Sequence, residues 1–329
     1  MKYLLVDTAN TFFRGKHVAH RNTDAWAKIG LSLHITLGAV NKAFNLYNAD
    51  HVVFALEGRS WRKDVYAPYK ANRKVAAMAK TEAEQEEDQL FMEALNDMTT
   101  YLREKTNCSV VRCPNAEADD IIARFIQTHP NDEHIIVSTD SDFYQLIAEN
   151  VSQYNGVTEE LITINGFYKA NGKEVIDKKT KLHKKLEDPQ WLLFEKCIRG
   201  DSTDNVFSAY PGVRKKGTKN KTGMIDAFAD KDTKGFNWNN LMLQRWTDHN
   251  GDEHLVNDDY QRNRTLIDLT AQPSNVVAML DKVINEQCVE KAVPMIGAHF
   301  MKFCGKYELV RMSESANAYV QWLTAPYKQ

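Results

Sequence analysis

The stretch IIVSTDSDFYQL, residues 135–146, joins a short apolar run to two carboxylates, Asp140 and Asp142, that lie two residues apart. Three comparable apolar runs are YLLV (3–6), HVVFAL (51–56) and CSVVR (108–112). Longer amphipathic or strongly helix-forming stretches separate these runs. Apolar, β-branched runs that alternate with helices are typical of βαβ units, whose parallel sheet is buried on both faces. We therefore predict an α/β fold with a central, mainly parallel sheet flanked by helices.

The second half of the chain has a different pattern. The lysine-rich stretch INGFYKANGKEVIDKKTKLHKKLED (164–188) contains two Asn-Gly dipeptides, which predict a hairpin or loop. After Pro189 the pattern is mostly helical. We place a domain boundary near residue 188, so that residues 1–188 form the core and residues 189–329 form a smaller, mostly helical region.

Composition limits the classes of protein that remain. The chain has 329 residues and a formal net charge of −2, so a polyanion would have to bind a local basic patch. The five cysteines are dispersed without CxxC spacing, which argues against a disulfide framework and favours reduced thiols. The first apolar run is too short for a signal peptide, and no apolar stretch approaches the roughly 20 residues of a membrane span. We expect a soluble, cytoplasmic monomer without a membrane partner.

Acidic residues follow the predicted strands. Asp7 follows LLV, Glu57 follows VVFAL, and Asp140 and Asp142 follow IIV. Taken singly, such residues are often helix caps or Asx-turn acids. Taken together they indicate a binding site, because ligands of parallel α/β sheets bind beyond the carboxyl ends of the strands.

Two further acidic clusters strengthen the pattern. EADD supplies Glu117, Asp119 and Asp120, and GDSTDN supplies Asp201 and Asp204. Crowded like charges are unfavourable unless a cation neutralises them. Since these clusters contain no histidine or cysteine, their all-oxygen donors favour Mg²⁺ or Mn²⁺ over zinc. Two such ions about 4 Å apart stabilise the attacking and leaving oxygens of a phosphoryl displacement, so we predict phosphodiester chemistry.

The order of these motifs resembles the flap endonuclease and 5′-nuclease family. The resemblance covers residues 3–210 and includes Asp7, FALEGRSWRKDVYAPYKANR (54–73), EADD, STDSD and GDSTDN. It is strongest to the bacteriophage members known as ribonuclease H or 5′ to 3′ exonuclease, to which DDYQRNRTLIDLTAQPSNV (258–276) is also similar. The resemblance implies a PIN-like 5′-nuclease core that removes RNA primers or flaps during DNA replication, in the host cytoplasm for a phage protein.

The resemblance also implies a ligand set for two Mg²⁺ ions, with Mn²⁺ as a substitute. Asp7, Glu117, Asp119 and Asp140 would bind the ion nearer the attacking water. Asp142, Asp201 and Asp204 would serve the second ion, although the assignment of each acid to one ion stays open. Glu57 stands where the family usually has aspartate, which leaves its role as a ligand open.

Basic and aromatic residues complete the implied site. Lys70 would stabilise charge at the scissile phosphate, Arg73 would position phosphate, and Tyr69 would stack on an unpaired base. The helix-forming segment near 62–100, with Arg62 and Lys74, would form an arch beside the single strand. A basic loop in the place of the family's helix-hairpin-helix element would bind duplex phosphates through Arg214, Lys215, Lys216, Lys219 and Lys221.

The implied partner is a DNA or RNA–DNA duplex with a 5′ end or flap, accompanied by a single-strand binding protein or a polymerase. The sequence leaves exonuclease or flap endonuclease preference open, and likewise RNA or DNA preference. A phosphatase of the haloacid dehalogenase type is disfavoured, because residue 9 is alanine where it needs aspartate. The main alternative is a scaffold that binds DNA junctions without cutting, which predicts the loss of core acids.

Overall fold

The computed structural model describes residues 1–18, 23–219 and 221–328. The strands in this part are β1 (Lys2–Asp7), β2 (His51–Leu56), β3 (Ser109–Arg112), β4 (Glu133–Val137), β5 (Val151–Asn155), β6 (Glu160–Thr163), β7 (Gly166–Lys169), β8 (Arg245–Thr247) and β9 (Glu253–Leu255). The α-helices are α1 (Thr8–Val18), α2 (Ala25–Tyr47), α3 (Arg62–Val65), α4 (Ala71–Met78), α5 (Glu82–Lys105), α6 (Ala118–Thr128), α7 (Pro189–Arg199), α8 (Met224–Ala229), α9 (Phe236–Met242), α10 (Val256–Ile267), α11 (Ser274–Gln287), α12 (Ile296–Lys306), α13 (Val310–Glu314) and α14 (Ala316–Leu323).

The central sheet has seven strands in the order β3-β2-β1-β4-β5-β6-β7. The first five strands of that order are parallel to their neighbours, and β6 and β7 continue the sheet in antiparallel fashion. The predicted α/β fold with a mainly parallel sheet and a mostly helical C-terminal region is therefore confirmed. The predicted hairpin or loop takes the form of a hairpin between β6 and β7, which turns at Ile164-Asn165 and enters β7 at Gly166, whose φ of +126° favours glycine.

Burial explains why the four strands β1 to β4 read as continuous apolar runs. Every residue of β2 is buried, and all but the first residue are buried in β1 and β4. Helices cover both faces of such a sheet, so alternation of polar and apolar residues is not required. The long helix α2 is capped at its start by Asp24, whose side chain accepts a hydrogen bond from the Ala27 amide, and at its end by Asn48, which has the left-handed conformation.

The contacts divide the chain into two compact units. The first unit comprises residues 1–60, 80–186 and 274–329, and the second comprises residues 61–79 and 187–273. The second unit thus resumes within one residue of the predicted boundary near 188, but the last stretch of the chain belongs to the first unit. The reason is packing, because Phe300 and Trp322 are fully buried in the core that also contains Leu4 and Phe54. The roles predicted for residues 1–188 and 189–329 stay predictions.

Within residues 1–18, 23–219 and 221–328, no helix combines the length and the apolar character that crossing a bilayer requires.

Candidate active site

Acidic side chains of the first unit follow the carboxyl ends of adjacent parallel strands. Asp7 is the last residue of β1, Glu57 follows the end of β2, and Asp140 lies three residues after β4. The strands are in register, since Asp7 is paired with Ala55 of β2, and Val6 with Val137 of β4. Glu117, Asp119 and Asp120 lie at the start of α6, which follows β3. The sheet therefore brings the predicted acids of this unit to one edge.

Asp7 is the buried acid at this edge. Its side chain is 5% exposed and accepts hydrogen bonds from the Ser138 hydroxyl, at 2.9 Å, and from the Asn10 amide, at 3.2 Å. Burial raises the pKa of Asp7 to about 7, and the negative charges of Glu57 and Asp140 add to this effect. The ionised form is thus destabilised by its surroundings, and a bound cation would favour it.

The acids at the start of α6 are held by one another and by the loop after β2. The Ser60 hydroxyl donates to Glu117 Oε2 at 2.8 Å, and the Glu117 amide donates to Asp120 Oδ2 at 3.1 Å. The Ala118 amide donates to Glu57 Oε2 at 3.3 Å. Asp120 is fully buried and closes the capping box of α6, whereas Asp119 is half-buried on the first turn. Glu57 is exposed and reaches this cluster despite its departure from aspartate.

The loop after β4 is fixed by hydrogen bonds from two directions. Asp140 Oδ1 accepts from the Asp142 amide at 2.9 Å and caps the short 3₁₀ helix of residues 141–146. The buried Gln153 of β5 donates to the carbonyls of Ser138, at 3.0 Å, and Asp140, at 2.7 Å. The Asp140 carboxylate is half-buried, so its position is defined while part of it stays accessible.

These donors fit a hard divalent cation in their chemistry. All are carboxylate oxygens, and the acids Asp7, Glu57 and Asp140 raise the cost of negative charge at one place. In the described part of the chain, no three His, Cys, Asp or Glu side chains already converge in a geometry that would hold a metal ion. Asp7, Glu117 and Glu57 each accept a hydrogen bond from a hydroxyl or a backbone amide group.

The second unit contains the other two predicted acids, and here the structure pairs them with cations. Asp204 accepts hydrogen bonds from Arg73, at 2.9 Å, and from the Tyr69 hydroxyl, at 2.9 Å, and Lys70 Nζ lies 3.5 Å from its carboxylate. Lys70 has a φ of +53°, and its amide donates to the Asp204 carbonyl at 2.8 Å. A lysine held in the left-handed region is a strained feature of the kind that collects at functional sites.

Asp201 is held in the same loop. Burial opposes its ionisation, but a 2.8 Å ion pair with Lys196 and amide hydrogen bonds from Thr203 and Asp204 outweigh burial and lower the pKa of Asp201. Asp201 is therefore a stable carboxylate. The metal-binding role predicted for Asp201 and Asp204 stays a prediction.

Two predicted nucleic-acid contacts disagree with the structure. Arg62 is 1% exposed, its Nε donates to the Leu266 carbonyl at 2.7 Å, and its guanidinium lies over the Trp61 ring. Tyr69 is 4% exposed, and its ring packs in the core of the second unit. Arg62 therefore supports the fold and Tyr69 positions Asp204, since neither has the free surface that a phosphate or a base would need. A short sequence pattern cannot show which side of such a turn is buried.

The remaining basic residues lie on the surface. Lys74 and the loop residues Arg214, Lys215, Lys216, Lys219 and Lys221 are all exposed. Lys215 pairs with Glu187 at 3.3 Å and lies over the Trp191 ring. Their predicted contacts with phosphate are sterically open and stay predictions.

Three residues that support the acids were missed by the sequence reasoning: Ser60, Ser138 and Gln153. Ser138 lies within the quoted STDSD motif, so its position beside Asp140 was a usable signal. No sequence signal marked Gln153, because its role depends on the pairing of β5 with β4.

Comparison with known proteins places this architecture in a family. The model of the "5′-3′ exonuclease, N-terminal resolvase-like domain" matches residues 2–180. Flap endonuclease Xni of Shewanella piezotolerans is 28% identical over 231 residues, which cover 69% of this chain and 77% of that protein. DNA polymerase I of Rhizobium leguminosarum is 29% identical over 249 residues, which cover 70% of this chain but only 21% of the polymerase.

A solved structure has the same fold. It is a pseudo-enzyme–product complex of bacteriophage T5 flap endonuclease with DNA and metal ions, at a TM-score of 0.57 and 19% identity. The match covers 87% of this chain and 98% of the T5 protein. With the family model spanning more than half of the sequence, this chain belongs to the 5′-3′ exonuclease family of nucleases.

Proposed function

We propose that this chain is a structure-specific 5′-nuclease that hydrolyses phosphodiesters at a 5′ end or at a single-strand to duplex junction. One observation carries the proposal: a carboxylate, Asp7, lies at the carboxyl edge of a parallel sheet, where its burial and the charges of the acids Glu57 and Asp140 raise its pKa to about 7. Folding does not favour such a concentration of negative charge, so a cation-dependent function accounts for it.

The proposed cofactor is Mg²⁺, with Mn²⁺ as a substitute and two ions per site. Asp7, Glu117, Asp119 and Asp140 would hold one ion, and Asp142 would serve the second. When bound, such ions activate water and stabilise the charge that develops on the phosphate oxygens. The role of the chain is to present oxygen donors in fixed positions, which the hydroxyls of Ser60 and Ser138 secure.

Lys70 and Arg73 would bind and position the phosphate. Both are paired with Asp204, so their cationic groups are held close together before any substrate arrives. A fixed pair of cations lowers the cost of reorganisation when negative charge builds up. Lys74 and the exposed loop of Arg214, Lys215, Lys216, Lys219 and Lys221 would contact duplex phosphates, and the helices between 62 and 100 would form the arch.

The proposed substrates are DNA and RNA–DNA duplexes with a 5′ end or flap, which includes removal of RNA primers by ribonuclease H activity during replication in the cytoplasm. One relative is itself a DNA polymerase I, and this chain matches a segment of it, which supports a polymerase as a partner. We further propose a monomer that works with a single-strand binding protein.

The test uses the purified chain and a 5′-flap duplex labelled at each end in turn, in Mg²⁺ and in EDTA. We expect Mg²⁺-dependent products that are cut at the junction or lost stepwise from the 5′ end, and the two labels distinguish these modes. A matched duplex with a 3′ flap is the control and should stay intact. Tight binding to the 5′ flap without cleavage in Mg²⁺ or Mn²⁺ would contradict the proposal and favour a junction-binding scaffold.

A further inference from the structure

An exposed aromatic residue lies three positions after Asp204 in the second unit. Phe207 is 58% exposed, although burying a phenylalanine side chain is worth about 1.5–3 kcal/mol. The neighbouring Val206 is buried and pairs with Asp201 through two backbone hydrogen bonds of 2.8 and 2.7 Å. The exposed ring is thus attached directly to the loop that holds the predicted acids Asp201 and Asp204.

The backbone of Phe207 is fixed at its carbonyl group. Its carbonyl accepts hydrogen bonds from the buried Asn263 amide group, at 2.8 Å, and from Arg262 Nη2, at 3.3 Å. An exposed side chain on a mobile loop would show none of these restraints. Phe207 therefore presents an apolar ring at a defined position.

The neighbouring rings form a platform. The Tyr66 and Phe207 rings meet edge to face, with centroids 6.4 Å apart and an interplanar angle of 86°. The Arg262 guanidinium lies 5.2 Å from the centre of the Tyr66 ring. Tyr66 is thereby packed between a cation and Phe207, whereas more than half of Phe207 stays accessible.

We propose that Phe207 is the stacking platform for an unpaired base of the nucleic-acid substrate, an inference that rests on the proposed nuclease function. Every base has an apolar π face, so a rigid exposed ring binds unpaired bases without sequence preference. The cations Lys70 and Arg73, gathered around Asp204 three residues away, attract the phosphate next to that base. Tyr66 and Arg262 are positioning residues that hold the ring.

The experiment measures binding of 5′-flap duplexes by fluorescence anisotropy without added metal, so that cleavage does not interfere. One series of substrates has a single abasic nucleotide at each of the first unpaired positions in turn. The proteins are the wild type, Phe207→Ala, Phe207→Leu and Phe207→Trp. The matched control is Phe236→Ala, which removes another exposed phenylalanine of the same unit, 80% exposed at the start of α9.

We expect one abasic position to weaken binding by the wild type about 5- to 100-fold, the effect of losing one base–aromatic stack. Phe207→Ala and Phe207→Leu should bind the intact flap as weakly as the wild type binds that abasic substrate. The abasic nucleotide should not weaken binding by these two variants any further. Phe207→Trp and Phe236→Ala should behave as the wild type. Equal binding by Phe207→Ala and the wild type would overturn the proposal. Wild-type binding by Phe207→Leu would also overturn it, because a merely apolar contact, such as one for a protein partner, needs no π face.

The measurements distinguish a failure of the nuclease proposal from a failure of the stacking proposal. A wild type that shows the abasic penalty but cuts no flap in Mg²⁺ refutes the nuclease proposal and keeps the stacking site. A wild type that cuts flaps while every abasic substrate binds as well as the intact flap refutes the stacking site alone.

Discussion

Ser138 connects two of the acids at the edge of the sheet. Its hydroxyl donates to Asp7 and accepts the amide of Asp140 at 3.1 Å, so one side chain fixes the end of β1 relative to the loop after β4. Mutation of a residue that orients a metal ligand typically costs about 10- to 100-fold in metal affinity or activity. Ser138 is therefore the supporting residue whose removal is most informative.

Replacing Ser138 by alanine should lower the rate of flap cleavage about 10- to 100-fold, because the Asp7 carboxylate loses its hydroxyl donor and is less well oriented. The Mg²⁺ concentration for half-maximal rate should rise in a single-turnover titration. Ser152→Ala is the control, since Ser152 lies on β5 and its hydroxyl donates a long hydrogen bond of 3.5 Å to the His134 carbonyl. A Ser138→Ala protein with the wild-type Mg²⁺ dependence would show that Ser138 does not orient a ligand.

Most of the acids could be predicted at the residue scale, because each follows an apolar run and the carboxyl ends of parallel strands share an edge. Burial of single side chains could not be predicted. Arg62 and Tyr69 both lie in a segment rich in basic and aromatic residues, yet the structure buries them beside Leu266 and Asp204. Such details depend on tertiary packing that a local pattern does not contain.

At the scale of elements, the start of α5 is tied to α1 and α2 by ion pairs. Glu87 lies 2.7 Å from Lys28 and 3.0 Å from Lys16, and Asp88 pairs with Lys16 and Lys80. The acidic sequence EAEQEED (82–88) does not reveal these ion pairs, because Lys28 and Lys16 lie about 60 to 70 residues away in the sequence. The strands β1 to β4 could be predicted from their apolar runs. The polar strand β5 could not, since VSQYN lacks such a run.

Glu87→Gln should lower the free energy of unfolding by about 1 kcal/mol, as expected for a partly buried pair in a network. Hydrogen bonds from Lys28 and Lys16 lower the pKa of Glu87 against the effect of burial. The stabilisation is thus present above pH 4.5, the ordinary pKa of glutamate, and is lost as the pH falls through the lower folded value. Urea unfolding at low and high salt measures it, with the exposed Glu86→Gln as control. A loss that is equal in both variants, or insensitive to salt, would contradict the network.

At the scale of the whole molecule, the end of the chain completes the core of the first unit. Phe300, Trp322 and Leu323 are fully buried there, and the Asn107 amide donates to the Leu323 carbonyl at 2.9 Å. The sequence predicted helices in this region correctly but could not show which core they join. Distance along the sequence does not predict this packing, because residues 274–329 belong to the same unit as residues 1–60.

Removal of residues 274–329 should therefore unfold the first unit, because the deletion exposes a large part of its apolar core. Circular dichroism and thermal melting would show a loss of cooperative unfolding. The full chain measured in parallel provides the reference. A truncated chain that melts cooperatively at the original temperature and loses only duplex binding would instead support an independent C-terminal duplex-binding domain.

Acid should destabilise the same core through His51. Burial lowers the pKa of His51 to about 4, and the charge of Lys291 adds to the shift, while a hydrogen bond with the Ala325 carbonyl opposes it. Because the unfolded chain binds a proton below about pH 6.5, folding stability falls as the pH drops from 6.5 toward 4, by about 2 kcal/mol at pH 5.

Urea unfolding at pH 7 and pH 5 measures this loss, and His51→Gln should show a smaller pH dependence from a lower starting stability. His134, whose pKa burial also lowers, keeps part of the effect in the variant. An identical loss in the wild type and in His51→Gln would exclude His51 as its source.

We propose that the buried acids at the carboxyl edge of the sheet bind the catalytic cation. The most direct measurement compares Asp7→Asn with Asp50→Asn, which removes a carboxylate from the opposite edge, beside the first residue of β2, where it accepts the Lys2 amide. Flap cleavage and thermal melting are followed in Mg²⁺ and in EDTA. We predict that Asp7→Asn lowers cleavage at least about a hundredfold and loses the stabilisation by Mg²⁺. It should melt no earlier than the wild type in EDTA, because a buried repulsive charge is gone, and Asp50→Asn should cut normally. An Asp7→Asn protein that cuts flaps at the wild-type rate would show that Asp7 does not bind the catalytic cation.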